Sequence, residues 1–358
     1  MLAVGAIYTA VAAVASQLFA QPRSAAALAG AALAADFIVR GVRDMNGQGP
    51  FFASPLSWAY GLRPFAGERY WPLAAVAAVV LAGHGLAAWL DVRRDFGQGW
   101  WPARPGPDRA RAGLRRVGGL VWSQRRPTAL AWTAVLGLLS FAFGLVSIEF
   151  AAGGESLDLS VFVGGDSGPA VALVDFCSLL VAVLAAAAGV SLVSAAARDE
   201  TSGRLDEVLA GAVGRGRWLA AEAFAALGAA CGSLALAGLG LAGGVALAGD
   251  LMPWSDPLAA VVARAPAVAV VVAGALALLG LGPRWPPAAW ALVAYSVVVG
   301  LFGQILRLPD WAADLSAFEH LARLGDDSWV TAAAGWEVAV AATLTAAGWA
   351  ALRRRDLG

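Results

Sequence analysis

Long apolar runs separated by short polar hinges dominate the chain. Nine runs approach or exceed the roughly 20 residues that a helix needs to cross a bilayer: 2–20, 24–42, 71–91, 128–148, 173–197, 218–247, 258–281, 287–306 and 332–351. The hinges Gln21-Pro22-Arg23 and Gly282-Pro283-Arg284 are so short that the runs they join must form antiparallel hairpins. The pattern predicts an all-α polytopic membrane protein with about nine transmembrane helices. Residues 1–20 lack a basic leading segment and continue as a plausible span, so a cleavable signal peptide is not expected.

Composition narrows the chemistry. Of 358 residues, 59% are hydrophobic and 14% charged, with a mean hydropathy of +0.69. A soluble domain carries about 25% charged residues, so a water-soluble enzyme with one packed core is excluded. The 25 basic and 25 acidic residues cancel, which removes any global argument for nucleic-acid binding. Every basic residue is Arg, and Lys is absent. A Walker A loop, a Schiff-base Lys and a Ser-Lys dyad are therefore excluded within these residues. Cys177 and Cys231 both lie in apolar runs and read as free thiols, not as a disulfide or metal site.

Arg placement sets the expected orientation. The connection 92–127 carries nine Arg residues, 198–217 carries Arg198, Arg204, Arg215 and Arg217, and the chain ends on Arg353-Arg354-Arg355. These three regions are expected on the cytoplasmic side, which puts the C-terminus inside. The connection 149–172 has only acidic charges, Glu149, Glu155, Asp158 and Asp166, and is expected outside. Residues 43–70 conflict with this scheme, since they are assigned outside yet hold Arg43, Arg63 and Arg69.

An internal repeat organises the spans. Gln21-Pro22-Arg23 returns as Gly282-Pro283-Arg284, and Arg93-Arg94-Asp95-Phe96-Gly97 returns as Arg354-Arg355-Asp356-Leu357-Gly358, both at an offset of 261 positions. Spans seven to nine thus repeat spans one to three. The expected layout is a three-helix part over 1–97, a linker over 98–127 with an amphipathic elbow helix at 108–122 held by membrane lipid, and a complete six-helix unit over 128–358. A parent architecture of twelve spans, three of them before residue 1, follows from this; a genuine nine-span chain is the alternative.

One connection carries a functional signal. In Arg198-Asp199-Glu200-Thr201-Ser202-Gly203-Arg204 and onward, Leu205, Val208, Leu209, Ala212 and Val213 form a single apolar stripe at helical spacing. Asp206 and Glu207 occupy the first turn and Arg215 and Arg217 follow Gly214, as the helix dipole favours. So short a helix needs a surface to dock on. That surface is either the lipid headgroups or a cleft on a cytoplasmic partner. Intramembrane charges are further candidates. Asp36 and Arg40, four apart, are expected to neutralise each other as an ion pair; Asp175 sits at a span end and reads as water-exposed. Glu222 and Glu337 are near interfaces with no assigned role, and His84 and His320 are each isolated.

The stretch from Arg198 to Trp218 resembles the connection between the second and third helices of ABC-2 type transporter permeases, where it forms the coupling helix; Ala212 stands where that family has Pro. Ala53-Ser54-Pro55-Leu56-Ser57-Trp58, Leu62 to Pro72 and Pro102 to Pro107 look like the centre of actinobacterial permeases grouped as exporters of polyketide antibiotics (tetronasin-type). The resemblance implies one complete six-helix ABC-2 unit preceded by the last three helices of another. It also implies a separate ATP-binding subunit in two copies that binds ATP and Mg, so that this chain holds no cofactor of its own. Leu205, Val208, Leu209 and Val213 would then be anchors in that subunit, with Glu200, Arg204, Asp206, Glu207, Arg215 and Arg217 as the polar rim. The cargo expected is a small hydrophobic or amphipathic compound. A secondary transporter and an intramembrane lipid-modifying enzyme are the competing classes.

Overall fold

The computed structural model describes all residues except 1, 46–53, 63–66, 68, 95–98, 102–111, 153–167, 212, 250–251, 321–331 and 356–358. Among the described residues the chain is helical and has no strand. The helices are α1 (Leu2–Leu18), α2 (Pro22–Met45), α3 (Pro55–Gly61), α4 (Trp71–Val92), α5 (Val117–Ala152), α6 (Pro169–Thr201) and α7 (Arg204–Leu209). They continue as α8 (Arg215–Ala248), α9 (Ser255–Val262), α10 (Ala265–Leu281), α11 (Ala289–Leu306), α12 (Asp310–Asp314) and α13 (Ala332–Arg354).

Every predicted span falls on a helix, with two differences. Among the described residues six segments are both long and apolar enough to cross a membrane, not nine: Trp71–Val92, Val117–Ile148, Pro169–Thr201, Arg215–Ala248, Ser255–Leu281 and Pro286–Gly303. Helix α1 is apolar but only 17 residues long, while α2 and α13 are long enough but interrupted by charge, including Asp36 and Arg40 in one and Glu337 in the other. The seventh span is also divided: α9 ends at Val262 and α10 begins at Ala265 with Pro266 in its first turn, where its missing N–H and its ring disfavour a continuous helix. Residues 112–115 form a 3-10 turn, and Val117–Ala152 continues as one helix through Pro127. Where a separate elbow was expected over 108–122, residues 117–122 are thus the opening turns of α5.

Two compact units divide the chain, Met1–Asp108 and Arg109–Gly358. In the first, α1 packs chiefly on α4, with Ile7, Trp58 and Val76 buried together. The chain beyond α4 returns to the end of α1: Trp100 and Trp101 donate their N–H groups to the carbonyls of Gln17 and Leu18 at 3.0 and 2.9 Å, and Trp101 stacks on Phe19. Most of α4 stays exposed in this unit, Leu81 and Trp89 among its outward side chains. Exposed apolar residues of this kind suit lipid contact.

The second unit is built around α6. Val174, Cys177, Val181, Ala182, Val190 and Val193 have no solvent exposure at all, because α5, α8, α10 and α11 pack around it. Small residues set how closely the other helices meet. A Cβ on Gly240 would lie 2.4 Å from the carbonyl oxygen of Gly137, and one on Gly244 would lie 2.3 Å from that of Phe141, so α5 and α8 touch backbone to backbone. The same holds for α10 and α13, where a Cβ on Gly280 would lie 2.1 Å from the oxygen of Gly348. Between helices in lipid, packing of this kind replaces the hydrophobic drive available in water.

The offset found in the sequence recurs in helix ends. Shifted by 261 positions, Trp71–Val92 becomes 332–353, against Ala332–Arg354 for α13; Leu2–Leu18 becomes 263–279, against Ala265–Leu281 for α10. Packing follows suit, since α13 packs chiefly on α10 as α4 packs chiefly on α1.

Candidate functional site

The connection from α6 to α8 turns sharply. The N–H groups of Ser202 and Gly203 close the end of α6 on the carbonyls of Arg198 and Glu200, and Gly203 adopts φ +75°, a left-handed conformation that glycine reaches without a Cβ penalty. Helix α7 starts at once. Gly214, in an extended conformation, then releases the chain into α8.

The apolar stripe of α7 faces the chain itself. Leu205 is 2% exposed, and Leu209 and Val213 pack on the same buried core as α6 and α8; Val208 is half-buried. Arg204, Asp206, Glu207, Ala210 and Gly211 are exposed, as is Arg217 in the first turn of α8. Ala212 lies outside the described residues. The more exposed face of α7 is therefore its charged side, while the stripe suggested as anchors is buried at Leu205 and half-buried at Val208, Leu209 and Val213.

Beneath α7 lies a network of charges. Arg125, near the start of α5, donates from Nε and Nη2 to the two carboxylate oxygens of Glu222 on α8, at 3.0 and 2.8 Å. Its Nη2 also donates to Asp199 Oδ2 at 2.6 Å, and the other oxygen of Asp199 accepts from Arg204 at 3.1 Å. Arg125 and Glu222 are buried. A guanidinium can bridge two carboxylates in this planar, two-pronged way, so Lys could not reproduce the contacts of Arg125. A second link ties Glu200 to Arg355 just beyond α13, and the Arg355 carbonyl accepts from Arg215 Nη1 at 2.6 Å. Glu200, Arg204 and Arg215, predicted on the polar rim, are thus each engaged within the chain.

Sequence reasoning missed the organising role of Arg125, Asp199, Glu222 and Arg355. The available signal was Glu222 itself, because a carboxylate inside a span demands a partner. Asp175 is corrected as well. It is 4% exposed rather than wet, and pairs with Arg264 at 2.8 Å; Arg264 also donates to the Phe318 carbonyl at 3.1 Å. In the first unit, Asp36 is buried and its Oδ2 accepts from Tyr8 Oη at 2.5 Å and from the Leu56 N–H at 3.0 Å. Asp36 thereby joins α1, α2 and α3. Arg40 is half-buried one turn further along α2. His84 Nδ1 donates to the Val80 carbonyl within its own helix at 2.9 Å.

Long apolar helices, lipid-compatible outer faces and buried ion pairs at the helix ends define a multi-pass all-α membrane protein. The chain belongs to the family of the multidrug efflux system permease Rv1217c: the model of that family's C-terminal domain matches residues 114–353, which fall within the second compact unit. It is also 33% identical over 365 aligned positions to "Multidrug efflux system permease protein Rv1217c" of Mycobacterium tuberculosis (strain ATCC 25618 / H37Rv). That match covers 100% of this chain and 66% of the relative, so the chain spans about two thirds of the length of the curated protein it matches.

Proposed function

We propose that the chain is the membrane-spanning permease subunit of an ABC-2 type exporter. It moves a hydrophobic or amphipathic compound, of the drug or polyketide antibiotic kind, out of the cell across the bacterial plasma membrane. ATP and Mg are bound by a separate ATP-binding subunit, in two copies, on the cytoplasmic side that also holds the C-terminus. The chain contributes one complete six-helix unit and the last three helices of another.

The observation that carries this reading is α7: a two-turn helix seated on its own core with a charged face turned outward. A lipid-docked helix would turn its apolar stripe to the membrane, whereas Leu205 and Leu209 are turned inward. Arg204, Asp206, Glu207 and Arg217 then form the contact face for the ATP-binding subunit. Leu205, Leu209 and Val213 fasten α7 to the helices that must move, and Val208 lies at the border. Arg204 ties α7 to Asp199 at the end of α6, Arg125 joins Asp199 to α5 and α8, and Glu200 on α6 pairs with Arg355 just beyond α13. A push on α7 as the nucleotide sites close therefore reaches four helices as one body, which is the requirement for rocking a bundle between two states.

The test is charge reversal of the outward face. Asp206→Arg with Glu207→Arg should abolish ATP-driven export and co-purification with the ATP-binding subunit, while the amount of permease in the membrane stays unchanged. Unimpaired export in that variant would remove α7 from the mechanism.

A further inference from the structure

At the end of the second unit opposite α7 lies a cavity of about 510 Å³, within the roughly 300–1,000 Å³ range of small-molecule sites. Its lining includes Val270, Leu315, His320, Trp336, Glu337 and Val340. Glu337 sits in the second turn of α13, about 8 Å along the helix from Ala332 at 1.5 Å per residue. It is 4% exposed, and neither carboxylate oxygen has a hydrogen-bond partner among the described residues.

A buried carboxylate with a purely structural role is held by donors, as Asp175 and Glu222 are. Glu337 is not. Among the described residues, Arg264 and His320 are the positive or protonatable groups near enough to act on it. Both are already committed: Arg264 to Asp175 and the Phe318 carbonyl, and His320 Nε2 to the Asp314 carbonyl at 2.7 Å. The Arg264 charge is matched by Asp175, so among the described residues Glu337 has no cation of its own beside an apolar cavity, and a bound cation would favour its ionised form. Trp336 is 71% exposed at its edge, and an indole face attracts cations. A bare metal ion would require several oxygen ligands, and among the described residues Glu337 is the only carboxylate in the lining.

We infer that this cavity binds an organic monocation with an apolar body, its charge against Glu337 and its body against Val270, Leu315, Val340 and Trp336. The inference rests on the reading of the chain as an exporter and names a chemical class of its cargo.

Equilibrium dialysis of tetraphenylphosphonium against the purified full chain in detergent, without any ATP-binding subunit, tests it. Saturable binding is expected. Glu337→Gln should weaken it on the order of tenfold or more, Glu337→Asp should recover part of it, and Asp91→Asn, an exposed carboxylate on α4, should leave it unchanged. Ala333→Phe keeps the carboxylate but fills the cavity, so it should also weaken binding and decides the matter if Glu337→Gln does not fold. Absence of saturable binding by the unsubstituted chain, or full binding by folded Glu337→Gln, or full binding by Ala333→Phe, overturns the inference. Charge reversal on α7 should leave this binding intact while abolishing export. Export that survives the reversal would instead count against α7 alone.

Discussion

The two ends of the second unit handle buried charge in opposite ways. At the α7 end, Arg125 satisfies Glu222 and Asp199, Asp199 satisfies Arg204, and Glu200 satisfies Arg355. At the other end, Asp175 and Arg264 match each other, and Glu337 is left without a donor among the described residues. In the first network every carboxylate has at least one donor, although Glu200 Oε2 has none of its own, and such pairing holds helices in fixed register. A carboxylate with neither oxygen paired among the described residues costs stability and persists where something else uses it. The comparison separates a part built to transmit force from a part built to receive a ligand.

Breaking the α7 network should have the largest effect on stability. Arg125→Ala strands two carboxylates, one of them fully buried, and removal of one partner from a buried pair costs about 3–5 kcal/mol. Unfolding in an SDS titration should show a loss of that size. Replacing Arg125 and Glu222 together with Leu, and Asp199 with Asn, should cost less than Arg125→Ala alone, because no uncompensated charge remains. A larger loss in the triple variant would mean that the helices depend on the charges themselves.

Arg264→Ala comes next. It leaves Asp175 and the Phe318 carbonyl without their donor, and a loss of about 3 kcal/mol is expected in the same titration. Gly280→Ala should follow, since its Cβ has no room beside Gly348 and overpacking of this kind costs about 1–3 kcal/mol. The smallest effect belongs to Arg204→Ala. Its side chain is 72% exposed, so losing its contact with Asp199 should cost no more than about 1 kcal/mol. If Arg204→Ala proves as damaging as Arg125→Ala, the ranking by burial fails.

Much of this architecture was legible in the chain. Apolar runs located every long helix, and the 261-position offset reappears in the ends of α4 and α13. Helix α7 was legible too, from its stripe, its acidic first turn and Gly214. The direction in which the stripe faces was not. Periodicity says that a short helix must bury one side, but not whether the burying surface belongs to its own chain. The ion pairs were hidden for a related reason. Arg125 and Glu222 lie 97 residues apart and Asp175 and Arg264 lie 89 apart, so no local spacing links them. Asp175 read as wet because it stands near a span end, yet helices packed around α6 close over it.

Export by inside-out vesicles carrying this chain together with its ATP-binding subunit tests the central claim most directly. The account predicts cargo uptake into such vesicles that requires ATP hydrolysis, survives collapse of the ion gradients, and disappears with Asp206→Arg and Glu207→Arg at an unchanged level of permease. Uptake driven by an ion gradient without ATP, or ATP-driven uptake undiminished by that charge reversal, would contradict it.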